Sequence, residues 1–325
     1  MGEPSAPPRS MIDRVCIVGA GVIGSLYAAH LARVADVAVL TRREAHARAL
    51  NDAGLQVSGK HEFTARVTAS ADPTELGDVD LAIVATKATQ LEEASKRLAG
   101  SFPGATVMTI QNGLGAEEIL RRHGAWQLVS AVTFMSGVRR SDTHVEYELD
   151  TATWMGPYAG TQTSFERVEK IQRLLVESGL KAEAFPDLLP AQWSKLIFNA
   201  TVNTVAAVTG LAHVGLFARE EEPTDLGHLV HELMDEGKRV AAAAGVVLHE
   251  DPWEMNVLAV RRGETLKSDY AHVPSMLEDV RARRPTEVDF ITGALVREAE
   301  RLGVPAPLHT AMYRLVKGLE ASWGG

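Results

Sequence analysis

Along the first half of the chain, apolar residues come in short unbroken runs, and helical spacing follows most of them. Residues 14–18 form the first run, with a helical stretch behind it to about Arg33; residues 37–40 form the second. Residues 81–85, 106–110 and 128–134 repeat the pattern, with helical segments at 90–98 and 115–122. Near-continuous apolar strands separated by helices predict a parallel sheet covered on both faces. Two stretches break the rhythm. Residues 55–69 read as a small hairpin, and residues 138–155 alternate apolar and polar positions, which predicts antiparallel strands at the far side of the same sheet. A helix over 164–177 and a short strand at 181–185 complete this half. From Leu188 to Leu319 the period is helical throughout, punctuated by Gly245, Pro252, Pro274, Pro285 and the segment 303–307.

The pattern therefore predicts an α/β chain: a Rossmann-type doubly wound domain at 14–186, then an all-helical domain at 187–325. Residues 1–13 read as a disordered lead-in, rich in Pro and Ser and lacking the apolar core of a signal peptide. A length of 325 residues suits two domains. Composition changes little, since 46% hydrophobic and 23% charged residues are ordinary for a globular protein. A net charge of -9 argues against an extended nucleic-acid surface. The single cysteine, Cys16, lies inside an apolar strand and cannot form a disulfide within the chain, which fits a reducing, cytoplasmic setting. The most membrane-like segment, 200–218, carries Asn203 and His213 and reads as a buried core helix, so no membrane partner is expected. His228, His231 and Glu232 are at helical spacing but read as a solvated face, so no metal site is expected.

Candidate chemistry starts at Gly19-Ala20-Gly21-Val22-Ile23-Gly24, a GxGxxG turn with a strand before it and a helix after it. In that setting Gly19 makes the tight turn, Gly21 lets a pyrophosphate approach, and Gly24 permits close packing. The helix N-terminus offers oriented N–H groups to the anion. At the end of the second strand stand Thr41, Arg42 and Arg43, where an acidic residue would bind the ribose hydroxyls of NAD. Guanidinium groups suit a 2′-phosphate and so NADP; Glu44 follows directly. Further on, Lys195, Asn199 and Asn203 recur every four residues among Leu196, Ile197, Phe198, Ala200 and Val202. They form a polar stripe on an otherwise apolar helix. Either Lys195 faces a cavity or ligand, or it snorkels to solvent at the helix start while the asparagines cap loops.

These pieces, with Lys87 and Gln90, Asn112 in Gln-Asn-Gly, Ser275-Met-Leu-Glu-Asp and Thr286-Glu287-Val-Asp, follow one another as they do in the ketopantoate reductases. The chain resembles that family from about Arg14 to Lys317. The resemblance implies NADPH-dependent reduction of a 2-oxo acid to a 2-hydroxy acid, with the active site in the cleft between the two domains. It implies Lys195 and Glu287 as catalytic residues, with Asn112, Asn199, Asn203 and Ser275 binding substrate. Gly19, Ala20, Gly21, Val22, Ile23, Gly24, Arg42, Lys87 and Asn112 would bind the cofactor. The first-choice substrate is 2-dehydropantoate, on the way to pantothenate. The alternatives are a paralogue acting on another branched or aromatic 2-oxo acid and a non-catalytic NADP sensor. A homodimer is a further expectation. The sequence departs from the family at Phe134 and Met135, at 147–155, which lacks the usual glycines, and at His272-Val273-Pro274. Phe134 and Met135 stand at the end of a strand, and alternation would turn one of them toward the site and the other into the core.

Overall fold

The computed structural model describes residues 12–213, 224–265 and 273–324. It divides into two compact units. The first comprises residues up to Thr86, Glu93–Ile110 and Arg121–Pro186; the second comprises Lys87–Glu92, Gln111–Leu120 and the chain from Asp187 onward. Most of the lead-in, residues 1–11, lies outside the described residues. Ile12 and Asp13 do not extend it: Ile12 is buried, and the Asp13 N–H donates to the Asp80 carboxylate at 2.9 Å.

The first unit is built on an eight-stranded sheet. Its strands are β1 (Arg14–Val18), β2 (Asp36–Leu40), β5 (Thr68–Ser70), β6 (Leu81–Val84), β7 (Thr106–Thr109), β8 (Gln127–Thr133), β11 (Thr153–Pro157) and β12 (Ala182–Ala184). They are ordered β12-β11-β8-β7-β6-β1-β2-β5. All neighbours are parallel except β8 and β11. The order reverses beside β1, since β2 lies on one side of it and β6 on the other. In open α/β sheets the carboxyl ends at such a point are where ligands bind. Helices α1 (Val22–Leu31), α2 (Glu44–Ala53) and α5 (Phe165–Glu177) belong to this unit; Ser164 caps α5 by accepting from the Arg167 N–H. The core lies between the sheet and α1 and α5, with Ile17, Leu26, Tyr27, Leu31, Ile83 and Ile171 all fully buried.

The stretches that broke the rhythm do not extend one sheet. β3 (Leu55–Gly59) and β4 (Phe63–Ala65) form a hairpin, while β5 leaves it to pair with β2. β9 (Ser136–Ser141) and β10 (His144–Leu149) form a second hairpin. The two hairpins join through parallel pairing of β3 with β10, giving a separate four-stranded sheet ordered β4-β3-β10-β9. Only β11 of the alternating segment enters the main sheet. Pairing across so long a sequence separation leaves no trace in local periodicity.

The second unit is helical. Its centre is α6 (Leu189–Thr209), which packs against α7 (Asp225–Ala243), α8 (Pro252–Thr265), α9 (Ser275–Arg281), α10 (Thr292–Leu302) and α11 (Pro307–Ala321). Helix α6 is buried without a break from Trp193 to Ala207. It ends at Gly210, whose φ of 75° makes the left-handed C-cap. Gly237 on α7 lets that helix lie close to α6, because a Cβ there would come within 2.6 Å of Ile197 Cγ2. Among the described residues no helix is long and apolar enough to cross a membrane; the last part of the segment read as membrane-like falls outside them.

Candidate active site

The glycine turn after β1 has the geometry of a phosphate loop. Gly19 has φ 100°, and a Cβ there would lie 2.9 Å from Thr86 Cγ2, beyond the end of β6. At Gly24 a Cβ would fall 1.9 Å from the Gly19 carbonyl oxygen, so this glycine is required by the loop's own backbone before any packing of helix on strand. At Gly21 a Cβ would meet nothing within 4 Å. Gly21 is the N-cap of α1 and, having no side chain, closes no cap, so the first N–H groups of the helix are left without a side-chain cap. A diphosphate fits there: the donors, the room and the positive end of the helix coincide.

The segment after β2 is held from two sides. Arg97 donates to the Thr41 carbonyl at 3.2 Å, and Thr41 Oγ1 donates to the Arg43 carbonyl at 3.0 Å. The two arginines then part ways. Arg43 places Nη2 on both oxygens of Asp142, at 2.9 and 2.8 Å. Arg42 is exposed and has no hydrogen-bond partner among the described residues. Phe134 and Met135 diverge as well. Met135 enters the core, while Phe134 is half-buried and stands edge-on to Trp154 at 5.7 Å, with Phe185 on another side of that indole.

The second unit gathers the remaining candidates. Lys195 is 4% exposed, Asn199 8% and Asn203 6%, so the lysine does not snorkel to solvent. Burial pushes its ammonium down from 10.5 to about 7, and the carboxylate of Glu287 works against that shift. Glu287 lies in the turn between α9 and α10 and not in the first turn of a helix. Its Oε1 accepts from the Ala88 N–H at 2.7 Å. Burial holds the carboxyl above its ordinary range, opposed by that N–H, by Lys87 and by a hydrogen bond from Asn112. The neighbouring Thr286 does not cap a helix. Both its N–H and its hydroxyl donate to Glu320 at 2.7 Å, which ties the turn to α11.

Asn112 reaches this cluster because of Gly113. With φ 95°, Gly113 lies so close to the Phe290 carbonyl that a Cβ would be 1.9 Å from its oxygen, and the Leu114 N–H donates to the same oxygen at 3.1 Å. The amide of Asn199 then donates to Asn112 Oδ1 at 3.4 Å. Lys87 is likewise built in. Its amine lies 2.5 Å from each oxygen of Asp279, a side chain 2% exposed that also accepts from Arg284 at 3.0 Å. Ser275, at the start of α9, is exposed. Sequence reasoning carried Asp279 and Gly113 only inside longer motifs, with no role of their own, and missed the Ala88 N–H. A glycine after an asparagine signals a turn, but nothing local says that the turn rests on Phe290.

Lys195, Glu287, Asn199 and Asp279, all buried, form with the half-buried Asn112 and Lys87 one polar, mixed-charge cluster within the second unit. An amine near pH 7 in its titration can give or take a proton at neutral pH, and neighbouring amides can orient a carboxylate or hydroxyl. Among the described residues no group of three His, Cys, Asp or Glu side chains could hold a metal ion.

Residues 15–160 match the family model of ketopantoate reductase PanE/ApbA, and residues 187–320 match the model of its C-terminal part. The 2-dehydropantoate 2-reductase of Archaeoglobus fulgidus is 29% identical over 95% of this chain and 99% of its own length. The enzyme of the same name from Pyrococcus abyssi is 26% identical over 96% and 99%. The crystal structure of a PanE/ApbA family ketopantoate reductase from Ralstonia eutropha JMP134 superposes with a TM-score of 0.81 at 25% identity, covering 96% of this chain and all of that one. With both family models matched in order along a Rossmann-type sheet and a helical second part, the chain belongs to the ketopantoate reductase family of oxidoreductases.

Proposed function

We propose that this chain reduces 2-dehydropantoate to pantoate with NADPH, as a step of pantothenate synthesis. The observation that carries the reading is Lys195, a buried lysine held near a pKa of 7 on a stripe with Asn199 and Asn203 and under the influence of Glu287. NADPH, when bound, supplies a hydride to the carbonyl carbon of the 2-oxo acid. The electron pair of the carbonyl then moves to its oxygen, and the Lys195 ammonium stabilises that developing alkoxide and delivers the proton. One hydride and one proton convert the ketone to the 2-hydroxy acid, and Lys195 is left as the neutral amine. Glu287 maintains the charge of the lysine before reaction. Asn199 and Asn203, with Asn112 and Ser275, hold the substrate's carboxylate and hydroxyl groups. On the cofactor side, residues 19–24 hold the diphosphate and Arg42 the 2′-phosphate. Lys87, fixed by Asp279, is a preset cation for the dinucleotide.

The test uses Lys195→Ala and a panel of substrates. A general acid contributes roughly 10²–10⁴-fold, so kcat should fall by about that factor while NADPH still binds, as followed by its fluorescence. Near-normal turnover would make the lysine structural. In the unaltered enzyme, 2-dehydropantoate should exceed 2-oxoisovalerate and phenylpyruvate in kcat/KM, and NADPH should exceed NADH. Preference for phenylpyruvate would move the enzyme to an aromatic substrate with the same chemistry.

A further inference from the structure

Next to Arg42 in sequence, one carboxylate holds two further guanidinium groups, those of Arg43 and Arg139. Arg43 is the N-cap of α2, adjacent in sequence to Arg42. Arg139 stands on β9, and its guanidinium also bonds Asp142. A single carboxylate therefore holds two guanidinium groups close together. Asp142 occupies the turn between β9 and β10, whose backbone carbonyls are held by α2 and β3 through bonds that do not use the carboxylate. His46 Nε2 meets the Asp142 carbonyl at 2.7 Å, and the Gln56 N–H donates to the Thr143 carbonyl at 2.8 Å. The carboxylate is therefore not needed to place the turn. It takes Nη2 of Arg43 and Nη2 of Arg139, donors of the kind that also bind phosphate oxygens.

We infer that Asp142 is a specificity-determining residue for the cofactor, an internal anion that keeps Arg43 and Arg139 from a phosphomonoester dianion and leaves its recognition to Arg42. This rests on the reading of Arg42 as the 2′-phosphate ligand. Because two like charges meet at Asp142, its loss would leave a strong, unfilled anion site beside Arg42. Its presence therefore weakens binding of the phosphorylated dinucleotide and makes that cofactor easier to exchange. A unit negative charge acting on a dianion across a screened surface changes affinity by roughly three- to tenfold at low salt.

The probes are adenosine 2′,5′-bisphosphate and adenosine 5′-monophosphate, titrated calorimetrically into the full chain at low ionic strength. Asp142→Asn keeps the backbone contacts of the turn and should bind the bisphosphate roughly three- to tenfold more tightly, with the monophosphate unchanged and the gain shrinking as salt is added. Adding Arg43→Met to that variant should cancel the gain. An Asp142→Asn protein that binds the bisphosphate no better, or a double variant that keeps the gain, overturns the inference. Arg42→Ala separates the two levels. If it removes the bisphosphate preference while Asp142→Asn changes nothing, only the role of Asp142 falls. If it leaves the preference intact, the reading of Arg42 falls and the inference with it.

Discussion

Glu287→Gln tests the coupling at the centre of the proposed mechanism. The substitution removes a negative charge and keeps an oxygen that can accept from the Ala88 N–H. In the native protein this carboxylate is what opposes the effect of burial on Lys195. At an effective dielectric of ~20, a unit charge about 12 Å away is worth about 1.4 kcal/mol, or one pKa unit. A neighbour close enough to oppose burial should therefore move the lysine by about one unit or more. Reduction requires the ammonium, so its rate falls as pH rises through the apparent pKa, and losing the carboxylate moves that fall to lower pH. With an apparent pKa of about 7, roughly a tenth of the lysine is charged at pH 8, and about a hundredth after a one-unit drop. The variant should thus lose about twofold in kcat/KM at pH 6 and about tenfold at pH 8. Both groups are buried and titrate as a pair, so the profile reports the pair and not one residue. The measurement is the pH dependence of kcat/KM for 2-oxo acid reduction at saturating NADPH. Superimposable profiles for native and variant enzymes would refute the coupling; a uniform loss at every pH would mean that Glu287 positions substrate without tuning the lysine.

Other consequences are as concrete. Gly24→Ala places a Cβ 1.9 Å from the Gly19 carbonyl oxygen and should abolish NADPH binding, with the second unit's melting unaffected. Gly113→Ala should lower kcat well beyond any loss of stability, because the Asn112 turn cannot rest on Phe290; normal turnover would show that the turn adapts. Glu236 is 1% exposed and accepts from the Leu308 and His309 N–H groups and from His309 Nδ1, forming an anionic cap on α11. Burial pushes its carboxyl up, but these bonds outweigh burial and hold it below the ordinary value. Its contribution is therefore present above pH 4.5 and is lost as pH falls through the lower folded value; Glu236→Ala should cost about 3–5 kcal/mol by urea unfolding at pH 7, and a loss under ~1 kcal/mol would show the cap to be dispensable. Lys195 runs the other way. The unfolded chain binds its proton more tightly, so stability rises between about pH 7 and pH 10.5, and Lys195→Met should flatten that rise.

The main sheet was legible where its parallel strands, β1, β2, β6, β7 and β8, are apolar runs long enough to stand out from their flanks. Residues 14–18 carry the pattern without ambiguity, whereas β5 and β12 are three residues each without an apolar run, and β5 reads from sequence as part of the hairpin at 55–69. The second sheet was not legible. β3, β4, β9 and β10 are half-exposed strands whose alternation says only that some face is covered, and which strand covers it depends on a meeting of residues far apart in sequence. At the site, Lys195, Asn199 and Asn203 could be read because a helix turns four-residue spacing into a stripe. Spacing could not tell a buried lysine from a snorkelling one; packing of five helices around α6 decides that. The roles of Asp279 and the Ala88 N–H were invisible for a related reason. Their roles exist only once the segment after β6 meets α9 and the turn at Glu287.

The parallel pairing of β3 with β10 also has a consequence for the order in which the protein can be made. It joins Val57 to Val145, so a ribosome must finish most of the main sheet before the hairpin at 55–65 finds its partner strand. Until then β3 presents an unsatisfied edge, and the start of α2 lacks the Asp142 turn that holds Arg43. Closing so long a loop is slow compared with forming the first βαβ unit. During synthesis the glycine turn can therefore exist before the arginine segment is anchored, and a nascent chain truncated before Asp142 would be able to take a diphosphate while Arg43 is not yet held by a carboxylate.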